Sequence, residues 1–144
     1  MAQRLTPNKE YFLDTSYVVA LLSPKDQYHS AALEIAASFL EAPVSLVTTQ
    51  AVIFEVCSSL AKPPFRKAAL EFLDGLELDG AIEVVSIDPS LFTTATALYK
   101  QRIDKSWSLT DCLSFIVMSQ RGMTESLTAD EHFEQAGFRA LLKN

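Results

Sequence analysis

Several things are scarce in this sequence, and each scarcity excludes something. There are two cysteines, Cys57 and Cys112, in 144 residues. Both fall in apolar stretches that read as helices, where small buried thiols are common. A disulfide framework or a cysteine-rich zinc site is therefore not expected. Glycine and proline are also few, at four and six, while apolar residues make up 49%. That balance argues for a packed core and against disorder. Basic residues are outnumbered, 12 to 18, giving a formal charge of −6. Bulk electrostatics then offers no attraction to nucleic acid or to an anionic membrane. A polyanion would need a local basic patch or a bound cation.

Long hydrophobic runs are missing too. Met1 to Lys9 has no apolar core of the signal-peptide type. The nearest unbroken apolar run, Tyr17 to Leu22, is far too short to span a bilayer. A reduced, cytoplasmic setting with no membrane partner is expected. A chain of this length is expected to form one domain over residues 1–144, able to bury roughly 68–70% of its unfolded surface without staples.

What is present alternates. Short β-branched or aromatic runs read as strands: Tyr11 to Leu13, Ser45 to Val47, Ile82 to Ile87, the more polar Met123 to Leu127, and Phe138 to Leu142. Between them lie helical patterns: Tyr17 to Leu22, Gln27 to Glu41, Gln50 to Ala61, Phe65 to Leu78, Pro89 to about Arg102, and a very apolar helix after Ser108. A short helix is expected over His132 to Gln135. Lys62-Pro63-Pro64 reads as a helix stop, Asp79-Gly80 as a turn, and Gly122 as a helix C-cap. Phe65, Ala69, Phe72, Leu73 and Leu76 define an inner face for their helix. Alternating strands and helices predict an α/β fold with a mostly parallel sheet and helices on both faces.

In open parallel sheets, ligands bind beyond the carboxyl ends of the strands. Four acids bear on that edge. Asp14 follows the first strand, Glu55 lies on the helix after the second, and Asp130 follows the Met123–Leu127 strand. Asp111 begins the helix leading back into that strand, a position usually near the opposite edge. The Lys100–Ser108 segment could still carry the chain back over the strand ends.

Each acid also has an ordinary reading. Asp14 suits an N-cap, Ser108-x-x-Asp111 a capping box, and Asp130 the first turn beside a Thr128-x-x-Glu131 box. Glu55 fits this pattern least. It is the only charge between Gln50 and Ala61, and no Lys or Arg stands three or four positions away. Two carboxylates about 4 Å apart repel by about 4 kcal/mol at an effective dielectric near 20. A cluster of acids must therefore hold protons or a divalent cation, and oxygen-only ligation favours Mg²⁺ or Mn²⁺ over zinc.

Four segments together resemble the PIN domain family, and within it the VapC-like toxin ribonucleases. They are Leu13-Asp14-Thr15-Ser16, Glu55, Asp104-Lys105-x-Trp107-Ser108-Leu109-Thr110-Asp111-Cys112-x-Ser114-Phe115, and Leu127-Thr128-x-Asp130-x-His132-Phe133-x-x-Ala136-Gly137-Phe138. The resemblance implies a Rossmann-like, three-layer PIN fold with about five parallel strands. It implies a metal-dependent endoribonuclease in which Asp14, Glu55 and Asp111 are the main Mg²⁺ or Mn²⁺ ligands. Asp130 would complete the set, directly or through water, so Asp111 is expected to join the other acids. It also implies hydrolysis that leaves a 5′-phosphate, an RNA substrate, a cognate antitoxin protein of a type II pair, and a homodimer.

His132 follows the family pattern and is expected to be packed and hydrogen-bonded rather than a base. His29 carries no signal. Lys100, Arg102 and Lys105 precede Trp107, and Lys62, Arg66 and Lys67 cluster after the Glu55 helix. Phosphate contacts and solvated helix ends are both open to these groups. For Trp107, core or lip packing is preferred over base stacking. Two other function classes compete with the nuclease. One is a catalytically inactive PIN-like binding module acting through a protein or RNA partner. The other is a phosphoryl-transfer protein with Asp14 as nucleophile, disfavoured because Asp14-Thr15-Ser16 has no second Asp two residues on.

Overall fold

The computed structural model describes residues 5–6, 8–78 and 80–143. Five strands form one parallel sheet: β1 (Glu10–Leu13), β2 (Ser45–Thr49), β3 (Ile82–Val85), β4 (Glu125–Leu127) and β5 (Arg139–Ala140). Their order is β3-β2-β1-β4-β5. Seven helices join them among the described residues: α1 (Thr15–Leu22), α2 (His29–Glu41), α3 (Gln50–Ser59), α4 (Pro63–Leu78), α5 (Pro89–Gln101), α6 (Leu109–Gln120) and α7 (Glu131–Gln135). The α/β fold expected from the alternation is the one observed. No helix among the described residues is long and apolar enough to cross a membrane.

The centre of the sheet is the driest part. Tyr11, Phe12 and Leu13 of β1 are almost fully buried, because helices cover both sheet faces. Phe12 meets Phe133, and Phe133 packs edge-on to Phe115 with ring centroids 5.0 Å apart. Of the twelve residues of α6, seven are buried, Asp111 among them. An almost all-round apolar helix of this kind belongs inside a fold. Gly122 follows the α6 C-cap Arg121 with φ +66°, the left-handed conformation that ends helices.

Several expected boundaries move. α3 ends at Ser59, ahead of Lys62-Pro63-Pro64 as expected, but Pro63 also opens α4, two residues before the expected Phe65 start, where its missing N–H costs nothing. The Gln27–Glu41 helix begins at His29, because Asp26 Oδ1 accepts from Tyr28 N at 2.9 Å and holds a turn there. The last strand is two residues long and runs into a 3₁₀ turn, Leu141–Lys143. The Thr128-x-x-Glu131 capping box does not form. Asp130 is the cap, accepting from His132 N at 2.9 Å, while Thr128 is buried and turned toward Asp14. The expected inner face of α4 holds from the buried Ala69 through the half-buried Phe72, Leu73 and Leu76, with Phe72 packed on the core, while Phe65, 45% exposed, falls outside it. Asp79 of the expected Asp79-Gly80 turn lies outside the described residues.

Candidate metal centre

The order β3-β2-β1-β4-β5 puts a topological switch point between β1 and β4, the place where open α/β sheets form their crevice. Asp14 stands at the carboxyl end of β1, and its N–H donates to Leu127 O at the end of β4, 3.2 Å away. Asp130 follows β4, and Glu55 sits on α3, directly after β2. Asp111 lies in the first turn of α6, which feeds β4 from the far edge and so runs antiparallel to the strands. Its first turn therefore falls at the carboxyl edge. The spacing argument that put Asp111 near the opposite edge is overturned by this direction.

All four acids line one cavity of about 430 Å³, together with Thr15, Ser16, Asp26 and Tyr28. Asp14 is 5% exposed and caps α1. Its Oδ2 accepts from Thr128 Oγ1 at 2.6 Å and from Ser16 Oγ at 3.0 Å. Each hydroxyl has one proton, and both are committed to Asp14. The two hydroxyls in turn accept from the backbone: Ala129 N donates to Ser16 Oγ and Asp130 N to Thr128 Oγ1, each at 3.0 Å. A network satisfied at both ends holds a rigid geometry. Burial nonetheless pushes the Asp14 carboxyl up to about 6, against the lowering effect of the Thr128 and Ser16 hydrogen bonds; the Asp111 charge adds to the rise.

Asp111 serves two structures at once. Its Oδ2 accepts from Ser108 N at 3.0 Å while Ser108 Oγ accepts from Asp111 N at 3.0 Å, a complete capping box. The same Oδ2 lies 3.0 Å from His132 Nδ1. Oδ2 is the carboxylate oxygen that the Ser108 backbone N–H also reaches, so Nδ1 is the ring nitrogen that carries the proton. His132 Nδ1 is also 3.5 Å from Asp130 Oδ1. One ligand atom from each of Asp111, Asp130 and His132 lies within 4.8 Å of the other two. Glu55 is half-buried and accepts from Thr15 Oγ1 at 2.8 Å.

No Lys or Arg ion pair reaches Asp14, Glu55, Asp111 or Asp130 among the described residues; the basic side chain found against them is the His132 imidazole. The cluster is thus short of positive charge, and its donor set, carboxylates with one imidazole nearby, fits a hard divalent ion. One member of the site, Asp26, escaped sequence reasoning, and another, His132, was named without being placed at the acids. Asp26 reaches the cavity through the loop before α2, which His29 pins to α1 by donating Nδ1–H to Ala20 O at 2.8 Å. His132 is hydrogen-bonded as expected, but at the acid cluster itself; its place two residues after the Asp130 cap was the available signal.

Trp107 packs as expected. It is 6% exposed, stands edge-on to Phe115 at 5.0 Å, and donates Nε1–H to Gln135 Oε1 at 3.0 Å. It ties the loop before α6 to the helix that bears His132.

Comparison with known proteins bears on the family and the fold. The PIN domain family model matches residues 11–139. A curated relative from Mycobacterium tuberculosis, the 23S rRNA-specific endonuclease VapC20, is 27% identical over 127 residues, covering 88% of this chain and 94% of the relative. The crystal structure of that organism's VapC20, described as a sarcin-ricin loop cleaving toxin, superposes with TM-score 0.80 at 25% identity, over 90% of this chain and 96% of the other. Two more distant structures share the fold. VapBC2 from Rickettsia felis bound to a promoter DNA fragment matches with TM-score 0.60 at 14% identity, covering 88% and 92%. FitAcB from Neisseria gonorrhoeae matches with TM-score 0.57 at 18%, covering 91% and 96%. With the family model spanning nearly the whole length and the acids gathered at the sheet's switch point, this chain belongs to the PIN domain family.

Proposed function

We propose that this protein is a divalent-metal-dependent endoribonuclease, the toxin of a type II toxin–antitoxin pair, with residues 1–144 acting as one domain. One observation carries the reading: Asp14, Glu55, Asp111 and Asp130, from four separate segments, line a single cavity with no Lys or Arg paired to them among the described residues. The printed activity of the VapC20 relative supports RNA as the substrate class.

Asp14, Glu55 and Asp111 would hold Mg²⁺ or Mn²⁺, with Asp130 completing the set directly or through water. When bound, such an ion supplies a water of lowered pKa and offsets charge on the scissile phosphate. The chain's own residues do the positioning. Thr128 and Ser16 fix the Asp14 carboxylate, Thr15 fixes Glu55, and the Ser108 cap fixes Asp111. His132 shares the Asp111 oxygen and keeps that side chain from turning away. The cleft has acids on its walls and hydroxyls at its floor, so it repels a bare phosphodiester until a cation is present.

The decisive measurement is RNA cleavage with Mg²⁺, Mn²⁺ or chelator, for wild type and Asp14→Asn. Cleavage by wild type that is abolished by chelator and by Asp14→Asn is the expected result. Equal activity of the two proteins would defeat the catalytic assignment of Asp14, and no cleavage by wild type with either metal would favour a binding module with vestigial acids.

An antitoxin protein and a homodimer are the partners proposed for the apolar surface left uncovered. Leu33 and Leu40 on α2 and Phe54, Phe65 and Leu70 on α3 and α4 are all more than 40% exposed. The mass of the purified protein in solution, alone and with the product of an adjacent reading frame, tests both.

A further inference from the structure

The acid cavity explains how a phosphodiester is cut but not how RNA is held by a chain of charge −6. A second cavity, of about 400 Å³, is lined by Tyr99, Arg102, Ile103, Lys105, Ser106, Trp107 and Cys112. No residue lines both cavities, but their linings are consecutive along the chain at one point. Cys112 is the residue after Asp111, and Ser106 and Trp107 lead straight into the Ser108 cap. A nucleotide in the second cavity would be a near neighbour of a phosphate in the first.

The lining has the chemistry of a nucleotide subsite. Tyr99 is 52% exposed and Ile103 is 91% exposed, so an aromatic face and an aliphatic one are open to solvent. Arg102 and Lys105 line the cavity with them, Lys100 is close by in sequence, and the one acid in this stretch, Asp104, is paired to Arg102, so the segment is net positive on an acidic protein. Arg102 is held in place twice. Its guanidinium lies 4.9 Å from the Trp107 ring centroid, and its Nε and Nη2 donate to Asp104 Oδ1 and Oδ2 at 3.0 Å each. Nη1 has no partner among the described residues and keeps its donors. A pre-oriented guanidinium with free N–H groups is suited to a phosphate oxygen or a base edge. Trp107 is the platform for Arg102 and is itself too buried to take a base, so stacking falls to Tyr99.

Building on the nuclease reading above, we propose that this cavity binds one nucleotide of the RNA substrate next to the scissile phosphate. The base stacks on Tyr99 and Ile103, and the flanking phosphate is held by Lys105 and Arg102. Stacking on a single aromatic side chain accounts for roughly 1–3 kcal/mol per base and tolerates any base, so the subsite supplies affinity and direction more than sequence choice.

The test measures binding of a fluorescent single-stranded RNA to proteins carrying Asp14→Asn, which blocks cleavage, and cleavage rates without that substitution. Tyr99→Ala and Lys105→Ala should each weaken RNA binding several-fold to tenfold and lower kcat/KM to match, with Tm unchanged. Tyr99→Phe should retain wild-type affinity, because the ring face remains. Lys105→Ala should also flatten the dependence of log K on log salt by about 0.7, the loss of one phosphate contact on a single strand. Unaltered binding and cleavage in both alanine variants would overturn the subsite while leaving the nuclease reading intact. Unaltered RNA binding with loss of a protein partner would reassign the cavity to protein recognition. Absence of RNA binding by the parent protein would remove both readings.

Discussion

Thr128 Oγ1 donates to Asp14 Oδ2 across 2.6 Å, joining the end of β1 to the first residue beyond β4. Both groups are buried, so the contact has no solvent to replace it. It closes the switch-point crevice from below and aims a carboxylate whose burial disfavours its charge. Thr128→Val keeps the volume and removes the donor. The expected cost is about 1–3 kcal/mol of unfolding free energy above pH 7, where Asp14 is ionised and left with Ser16 alone. Urea unfolding checks the cost. Weaker Mg²⁺ or Mn²⁺ binding should accompany it, seen as a smaller metal-induced rise in Tm.

The Asp14 carboxyl also gives the metal-free protein a pH signature. Its ordinary value is 3.8 and burial pushes it up to about 6. The folded state thus binds the proton more tightly than the unfolded chain. Stability linked to Asp14 is complete below about 4, declines as pH rises toward 6, and is lost above it. A difference of this size corresponds to roughly 3 kcal/mol. In chelator, unfolding free energy from this group should fall between pH 4 and pH 7. Asp14→Asn keeps a capping side chain and removes the charge, so it should flatten the profile and be the more stable protein at pH 7. A wild-type profile that rises through this window would contradict the assignment. Saturating Mn²⁺ should restore stability above pH 6, because it binds the ionised form.

Asp111 separates the capping role from the chemical one. Asp111→Asn retains an oxygen able to accept from Ser108 N, so the box can persist and stability should change by less than about 1 kcal/mol. Metal-dependent cleavage should fall by roughly 10²-fold or more, the scale of losing a group that acts on transition-state charge. Asp111→Ala loses cap and charge together and should cost about 0.5–2 kcal/mol in addition. Melting curves and cleavage rates on the two variants distinguish a cap that merely happens to be acidic from a functional carboxylate.

Strand and helix order were legible because burial writes its own periodicity. Tyr11 to Leu13 and the α6 segment are apolar for reasons visible without coordinates. Asp14, Glu55 and Asp130 were placed by simple adjacency to strand ends. Asp111 required the direction of a helix as well: a helix that returns to a parallel strand begins at that strand's carboxyl side. Asp26 was not legible, because an irregular loop has no period and its fold-back depends on His29 finding the Ala20 carbonyl. The Thr128-x-x-Glu131 reading failed because a local pattern cannot report that Asp14, more than a hundred residues away, competes for the Thr128 hydroxyl. Phe65 departed from the expected α4 face for a related reason. Amphipathic spacing marks an apolar stripe, but it does not say whether the chain's own core will cover it.

Glu55 offers a cleaner probe of the metal centre than the buried acids, because it is half-buried and its only side-chain partner among the described residues is Thr15, 2.8 Å away. Glu55→Gln preserves an acceptor for the Thr15 hydroxyl and the length of the side chain. Unfolding free energy without metal should therefore stay within about 0.5 kcal/mol of wild type. The charge is what changes, so the rise in Tm on adding Mn²⁺ should shrink and cleavage should drop by roughly 10²-fold. Thr15→Val tests the supporting contact. It leaves the carboxylate in place but free to turn, so metal affinity should weaken by about tenfold while cleavage at saturating Mn²⁺ recovers. Should Glu55→Gln bind Mn²⁺ as tightly as wild type, Glu55 would be a bystander at the cavity wall, and the ion would have to be held by Asp14, Asp111 and Asp130 alone.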